Sequence, residues 1–399
     1  MVLSSAFGVE PIRDAATLTD VADAYLVRST AYVAIAPISN VLDTLTLLSL
    51  RQHIALMVGV VVLFIGWRIA RGSLAGATGG GRNHRIAMLA LVAGIVVAYC
   101  AAAMLSRPMA ALVSDNANVL IADLHSHTSA SHDGRSGWSV ERNRDWHRAA
   151  GFDVAYVTDH ASVAAAERGM ANNPTPAAAG TTILQGIEVT WSGEHVAILS
   201  AERTYKGLLT SSLRDVDEQA VRLASLIPGR EPVVVWDHPR DLNHLTPASG
   251  VGSPGVRAIE IVNGSPRDMD AVRPKRAEIV ALAEKHNLAL TGGSDNHGWG
   301  RAAPGWTLMR IVNWRGSQGG GDALALEIER TLRDNGFRGT RVAERRVADP
   351  AANKLALGLT VITVPWRMLT TLSNDERVVW LLWTWLLVAG AWWIRRRRA

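Results

Sequence analysis

The sequence predicts an α/β domain of alternating strands and helices, flanked by membrane-spanning helices. Three observations predict it. Between residues 118 and 345, short apolar runs alternate with helix-like stretches. Clusters of histidine and carboxylate follow several of those runs. Both ends of the chain carry apolar stretches near the ~20 residues a membrane helix needs. The chain thus divides into an N-terminal membrane region (1–117), a central domain (118–345) and a C-terminal membrane region (346–399).

Three stretches read as spans: residues 54–70 (Ile54–Trp67 with its flank), 86–105 and 378–394. The third is studded with Trp380, Trp383, Trp385, Trp392 and Trp393, a residue type that prefers the headgroup level. Residues 31–50 are apolar but contain Pro37, Asn40 and Asp43, and fit either a fourth span or an interfacial helix. Leu355–Trp366 is short and is expected on the bilayer surface. The first 28 residues lack an apolar h-region, so no cleavable signal peptide is expected.

Arginine sets the orientation. Arg68, Arg71, Arg82 and Arg85 lie between the first two spans, and Arg395, Arg396, Arg397 and Arg398 end the chain. Both groups belong on the cytoplasmic side. The central domain is then expected on the periplasmic or extracellular face of a bacterial inner membrane. The net charge of +5 comes from these flanks, since residues 118–345 sum to about −2. A nucleic-acid partner, which needs a basic patch on the folded domain, is not expected. The single cysteine, Cys100, lies in an apolar run and excludes an internal disulfide framework or a cysteine-based zinc site.

Within the central domain the expected strands are Val119–Leu124, Val154–Thr158, Thr182–Val189, Pro232–Trp236, Ala258–Val262 and Ala289–Gly292. Ser139 caps an expected helix over Val140–Ala150 that Gly151 ends. Further helices are expected over Asp215–Ser225 and Ala271–Lys285, with loops at Asn172–Gly180 and Gly316–Gly321. Strands alternating with helices imply a mainly parallel sheet, open or closed into a barrel.

The chemistry sits at the strand ends. DLHSHTSASHDG carries His125 and His127, which project to one face of an extended chain and can bind one metal, followed by His132 and Asp133. YVTDH brings Asp159 and His160, QGIEVTWSGEH brings Glu188 and His195, VVVWDHP brings His238, and LALTGGSDNH brings Asp295 and His297. Parallel α/β folds assemble active sites at the C-terminal ends of their strands. His147, His244 and His286 are read as exposed bystanders, and His53 and His84 as span flanks.

The ordered motifs HSH, SHDG, TDH, GIE, His195, DHP and SDNH resemble those of the PHP (polymerase and histidinol phosphatase) superfamily over roughly residues 118–300. That resemblance implies a distorted (β/α)7 barrel with up to three divalent metals. It assigns His125, His127, Glu188 and Asp295 to one metal. Glu188 would bridge to a second, also held by His195 and His238. His160 and His297, with His132 or Asp133, would hold the third. The short interval from His195 to His238 leaves no room for the cap domain of some members.

Imidazole and carboxylate ligands suit zinc, manganese or iron. Two or more ions ~3.5–4 Å apart acidify a water and clamp a phosphate ester. The expected activity is hydrolysis of a phosphomonoester or phosphodiester by metal-bound hydroxide, with His160, Asp295 and His297 as catalytic groups. Arg135 and Arg301 are expected to bind phosphate oxygens, while Asp123 and Asp159 fix imidazole tautomers or cap turns. Trp138, Trp191, Trp236 and Trp299 wall the pocket or pack in the core. The substrate is expected to be a phosphorylated small molecule or an envelope or lipid head-group phosphate. Two rival readings are a metal-dependent amidohydrolase, which usually needs a carboxylated lysine absent from these strand ends, and a non-catalytic metal-binding receptor or scaffold.

Overall fold

A computed structural model describes residues 6–70, 81–160, 162–191, 193–199, 233–244, 247, 255–317, 321–350 and 353–398. The strands are β1 (Ile12–Asp14), β2 (Ala24–Arg28), β3 (Ala110–Ser114), β4 (Val119–Ser126), β5 (Val154–Val157), β6 (Thr182–Trp191), β7 (Glu194–Leu199), β8 (Val234–Trp236), β9 (Ala258–Asn263), β10 (Ala289–Gly293), β11 (Gly305–Arg310) and β12 (Thr340–Arg345). The helices are α1 (Thr30–Ala34), α2 (Ala36–Thr46), α3 (Leu50–Ala70), α4 (Gly81–Met104), α5 (Val140–Ala150), α6 (Ala164–Ala171), α7 (Pro266–Val272), α8 (Arg276–His286), α9 (Asp322–Arg330), α10 (Lys354–Gly358), α11 (Thr360–Thr370) and α12 (Asn374–Arg398).

Ten strands form one curled sheet in the order β1-β12-β11-β4-β5-β6-β7-β8-β9-β10. From β4 to β10 the strands follow chain order, and the two ends of that run meet. Asp295 N donates to His125 O at 2.9 Å, and His127 N donates to Asn296 O at 3.2 Å. The fold class is therefore mixed α/β, which corrects the expectation of a mainly parallel sheet. β4–β5, β5–β6, β8–β9 and β9–β10 are parallel. β7 is antiparallel to both β6 and β8, and β11, β12 and β1 extend the sheet antiparallel beyond β4. β7 lies in the hairpin from Trp191 to Glu194, too tight a return for a crossover helix.

The central strands read as unbroken apolar runs because both faces are covered. Along β4, Leu120, Ala122 and Leu124 enter one core with Tyr156, Leu184 and Ile328, while Val119 and Ile121 enter another with Trp146 and Trp306. Helix α5 has the expected bounds, with Ser139 Oγ accepting from Arg142 N and Gly151 left-handed at φ 86°. The helix expected over Ala271–Lys285 is broken: α7 ends at Val272, a 3-10 turn spans Arg273–Lys275, and α8 begins at Arg276. Pro274 lacks the N–H that a continuous helix would require there. The helix expected over Asp215–Ser225 and Pro232 lie outside the described residues.

The N-terminal region also contributes strands. β1 pairs with β12 at the sheet edge, and β2 pairs with β3 in a separate two-stranded ribbon. Residues 31–50 fold as two short helices, not as a span. Their polar residues explain why: Asp43 accepts from Tyr32 and Arg107, and Asn40 donates to Glu376 at 2.7 Å, all buried in protein. Leu50–Ala70, Ile86–Met104 and Asn374–Arg397 are long and apolar enough to cross a membrane, with 0%, 6% and 0% of their most apolar windows buried, so they are not core helices. The ends Leu50 and Met104 lie against the domain, Arg51 N donating to Asp270 and Gly300 N to Ala103 O, while near Asn374 the Glu376 side chain accepts from Asn40 of α2. Leu355–Trp366 packs against α3, where Val361 leaves space for nothing larger than Gly59.

Asp153 opens β5 and accepts from Ile121 N at 2.9 Å. Burial raises its carboxyl from 3.8 to about 7, so the folded chain keeps a proton there that the unfolded chain loses. Stability should therefore fall as pH rises from about 4 to about 7. Asp153→Asn retains the acceptor and removes the titration. Its melting temperature should exceed the parent's at pH 8 and match it near pH 4. Parallel pH profiles for the two proteins would contradict this.

Candidate metal centre

Strand β4 delivers His125 and His127 to a fixed place. Asp123 Oδ1 accepts from His125 N and Ser294 N, at 3.1 and 3.0 Å, and so ties the HSH turn to the SDNH turn. Both rings are wholly buried. Their Nε2 atoms stand 3.1 Å apart, and each lies within 3.1 Å of Glu188 Oε2. The other oxygen, Oε1, is 2.5 Å from His195 Nδ1 and 3.7 Å from His238 Nε2. His160 Nε2 comes within 3.5 Å of Oε2. The hairpin β6–β7 explains the juxtaposition of Glu188 and His195, which lie on paired strands.

Asp295, at a left-handed φ of 46°, presents Oδ1 3.5 Å from His127 Nε2 and 3.3 Å from His297 Nδ1. His297 stacks on His127 at 4.0 Å between centroids. Its Nε2 lies 3.1 Å from Asp133, which is also 3.6 Å from His160. His132 is exposed, with its ring 5.0 Å from that of His160. All ten expected ligands are thus gathered in one cluster, with Asp133 making the tighter approach of the SHDG pair.

The donor set fits divalent ions. Ligand atoms ~2.1 Å from a tetrahedral or octahedral ion lie roughly 3.0–3.4 Å from one another, the spacing seen between His125, His127 and Glu188. Two facing Nε2 atoms cannot both donate to each other, and a cation between lone pairs resolves the contact. Buried polar atoms without a hydrogen-bond partner occur here as well: His127 Nδ1 and both carboxylate oxygens of Asp237. Each such group costs about 1–3 kcal/mol if left unsatisfied.

The electrostatics follow from burial. Burial, with the His297 charge nearby, depresses His127 to about 4, leaving a neutral imidazole able to accept a metal. His125 is raised well above the ordinary range: burial opposes its charge, but Asp237, Glu260, Glu188 and Asp295 together outweigh it. Glu188 is held well below the carboxylate range. Burial is more than offset by His125 and by hydrogen bonds from His125, His127 and His195.

Several residues behave differently from expectation. His147 is not exposed; it is fully buried, and its Nε2 contacts Asp123 Oδ2 at 2.8 Å. Asp123 therefore orients His147 and the backbone, not a ligand ring. Asp159 accepts from Thr128 N and Oγ1, both at 2.6 Å, and serves the turn. Arg135 and Arg301 bond backbone carbonyls, of Gly298 and Gly264, instead of reaching the cluster. Among the tryptophans, Trp236 is core, Trp138 donates to His127 O at 3.0 Å, Trp191 is half-buried, and Trp299 is 38% exposed. Glu260 and Asp237 also belong to the site, though no sequence motif singled them out. Glu260 Oε1 lies 3.0 Å from His125 Nδ1, and Oε2 accepts from His238 N. A carboxylate midway along the apolar strand AIEIVN was the available signal. Gly293 is glycine because a Cβ there would collide with Glu260 and His125.

No protein-family model matches the chain, and no curated protein matches it. Solved structures overlap it in part. One is a two-domain protein containing a predicted PHP-like metal-dependent phosphoesterase from Bacteroides vulgatus: 18% identity, 57% of this chain, 66% of that chain, TM-score 0.34. Another is a putative metal-dependent phosphoesterase from Bifidobacterium adolescentis: 16% identity, 53% of this chain, 96% of that chain, TM-score 0.30. A third is an amidohydrolase from Chromobacterium violaceum with bound sulfate and no metal: 17% identity, 44% of this chain, 87% of that chain, TM-score 0.30. At this level of overlap the reading of the site rests on its own geometry.

Glu260→Gln keeps the shape beside His125 and removes the charge that orients its ring. Metal affinity should fall ~10–100-fold, the range for partners behind a ligand, with the melting temperature of the metal-free protein nearly unchanged. Titration with zinc or manganese checks this. Unchanged affinity would contradict the role.

Proposed function

We propose that the chain is a membrane-anchored, metal-dependent hydrolase of phosphate esters, built on a distorted (β/α)7 barrel of PHP type. The observation that carries this reading is Glu188, a buried carboxylate with imidazoles converging on both its oxygens. His125, His127, His160, His195, His238 and His297, with Glu188, Asp295 and Asp133 or His132, would hold two or three divalent ions of zinc, manganese or iron. Bound ions would supply positive charge to the phosphoryl oxygens and acidify a water at neutral pH.

The chain's own groups divide the remaining work. Glu188 fixes two ligand sets at a constant separation. His127, neutral and buried, offers a lone pair inward. His160 and His297 are the more open members, with side chains 18% and 16% exposed, and each lies near Asp133. Whichever of the two is left free of metal would hold a proton at Nε2 for the departing oxygen. The described strand ends around the cluster bear no lysine, which favours ester over amide hydrolysis. The substrate we infer is a phosphomonoester or phosphodiester, either a small molecule or an envelope or lipid head group, and no nucleic acid.

The same reading puts the domain on the periplasmic or extracellular side of a bacterial inner membrane. Its support is that Arg51 N bonds Asp270 and Ala103 O bonds Gly300 N, at the domain ends of two candidate spans, while Arg68 and Arg395–Arg397 stand at the opposite ends of α3 and α12 from Leu50 and Asn374.

The full chain in detergent should hydrolyse p-nitrophenyl phosphate or its diester, and not simple amides. Chelation should abolish this, and added metal should restore it. His127→Ala should lower kcat/KM by at least about 100-fold, the upper range for losing a partner behind a ligand. Chelator-insensitive turnover, or turnover of amides alone, would overturn the reading.

Orientation has a separate test. In a Cys100→Ala background, a cysteine replacing exposed Gly316 should react with an impermeant maleimide on intact spheroplasts, and one replacing Ala399 should not. The reverse pattern would put the domain in the cytoplasm.

A further inference from the structure

Beside the metal centre lies a cavity of about 480 Å³, between the end of α4, the loop 135–138, helix α5 and the turn 298–301. Four arginines line it, Arg107, Arg135, Arg142 and Arg301, against one carboxylate, Asp145. Apolar side chains, among them Leu105, Met109 and Trp299, share the rest of its wall with Ser106 and Ser136. Arg107 is held by Asp43 and by the carbonyls of Ala102 and Gly300, yet its Nη2 is buried without a partner. Arg135 lies over the Trp299 ring, 5.5 Å from its centroid. A smaller, mostly apolar cavity of about 250 Å³ shares Trp299 and Arg301 with it and runs between α3 and α4, past His53 and Tyr99.

The cavity abuts the catalytic cluster through one layer of chain. Arg135 N donates to His297 O at 2.9 Å, and Trp138 Nε1 donates to His127 O. Gly298, at φ 90°, admits the Trp138 ring, which any Cβ would strike. A group held by the arginines thus sits against the turns that carry His127 and His297.

We propose that this cavity binds the phosphate of an anionic amphiphile whose apolar chain lies along α3 and α4. The proposal rests on the membrane-anchored reading, which it extends by a separate anionic-lipid site beside the metal centre. Three features support it. Guanidinium forks match phosphate oxygens and are more weakly hydrated than ammonium, so they bind phosphate at a bilayer edge. The charged cavity continues into an apolar one at the end of a candidate span. Trp299 and the end of α4 lie where the headgroup layer would meet the domain.

The test uses the full chain in phosphatidylcholine nanodiscs, with metal removed by chelator so that no ester is consumed. Photoactivatable phosphatidylglycerol and phosphatidylcholine are cross-linked in turn, and the labelled peptides are mapped. Phosphatidylglycerol should label peptides spanning 104–109, 135–149 and 298–301 about tenfold more than phosphatidylcholine, the scale of one charge-assisted hydrogen bond. Arg142→Glu, at an exposed position, should erase most of that preference. Equal labelling by the two lipids would overturn the proposal. So would labelling that millimolar inorganic phosphate abolishes, which would assign the cavity to small anions. Hydrolysis of p-nitrophenyl phosphate by the metal-loaded protein is measured alongside. Its loss with lipid preference intact would sink the esterase reading alone, and its retention without lipid preference would sink this inference alone.

Discussion

Glu188 is 2% exposed at the end of β6, and its two oxygens meet imidazole nitrogens of His125, His127, His195, His160 and His238 at 2.5–3.7 Å. A carboxylate taken out of water on this scale is strongly destabilising unless it is paired. The surrounding fold supplies that pairing from four segments, and a fifth completes the cluster. β4 contributes its terminal HSH, β5 leads to His160, the β6–β7 hairpin brings His195, β8 leads to His238, and the turn after β10 carries Asp295 and His297. The curl of the sheet is what lets these ends meet. Its closure, through Asp123 and the backbone bonds between residues 125–127 and 294–296, is part of the same construction.

Behind the ligands stands a further tier of buried acid. Glu260 reaches His125 Nδ1 from β9, and Asp268 lies 3.5 Å from His238 Nδ1. Asp237 sits 3.8 Å from His125 with no hydrogen bond of its own, and burial, followed by Glu260 and Glu188 and partly offset by His125, drives its carboxyl far up. The Glu260 and Asp268 carboxylates behind His125 and His238 favour cations in front of those rings.

Much of this organisation was legible in the sequence because strand ends leave marks. The apolar runs before His125, His160, Glu188, His238 and Asp295 located five strands to within a few residues, and Ser139 with Gly151 fixed α5. What escaped did so for physical reasons. β7 hides inside GEHVAIL, where a tight hairpin replaces the crossover that alternation implies. β11 and β12 pair antiparallel across long sequence separations, and pairing of that kind is set by tertiary contact. His147 looked exposed because α5 is polar overall, yet its ring packs against Phe152 and Trp146 and reaches Asp123. Glu260 was visible as a charge within AIEIVN, but only the structure shows which ring it serves.

The flanking helices depend on a second set of buried polar groups. Asp43 binds Arg107, just beyond α4, and Arg345 of β12, while Glu376 at the start of α12 binds Arg28 and Asn40 of the N-terminal region. The N-terminal segment is woven into this arrangement through β1 and α2, so the full chain is the natural unit for experiment. The most direct measurement is anomalous X-ray scattering from crystals of the full chain grown with manganese or zinc. Two or more peaks within coordination distance of Glu188, His125 and His127 are expected. Crystals equilibrated with metal that show no peak in this cluster would contradict the account.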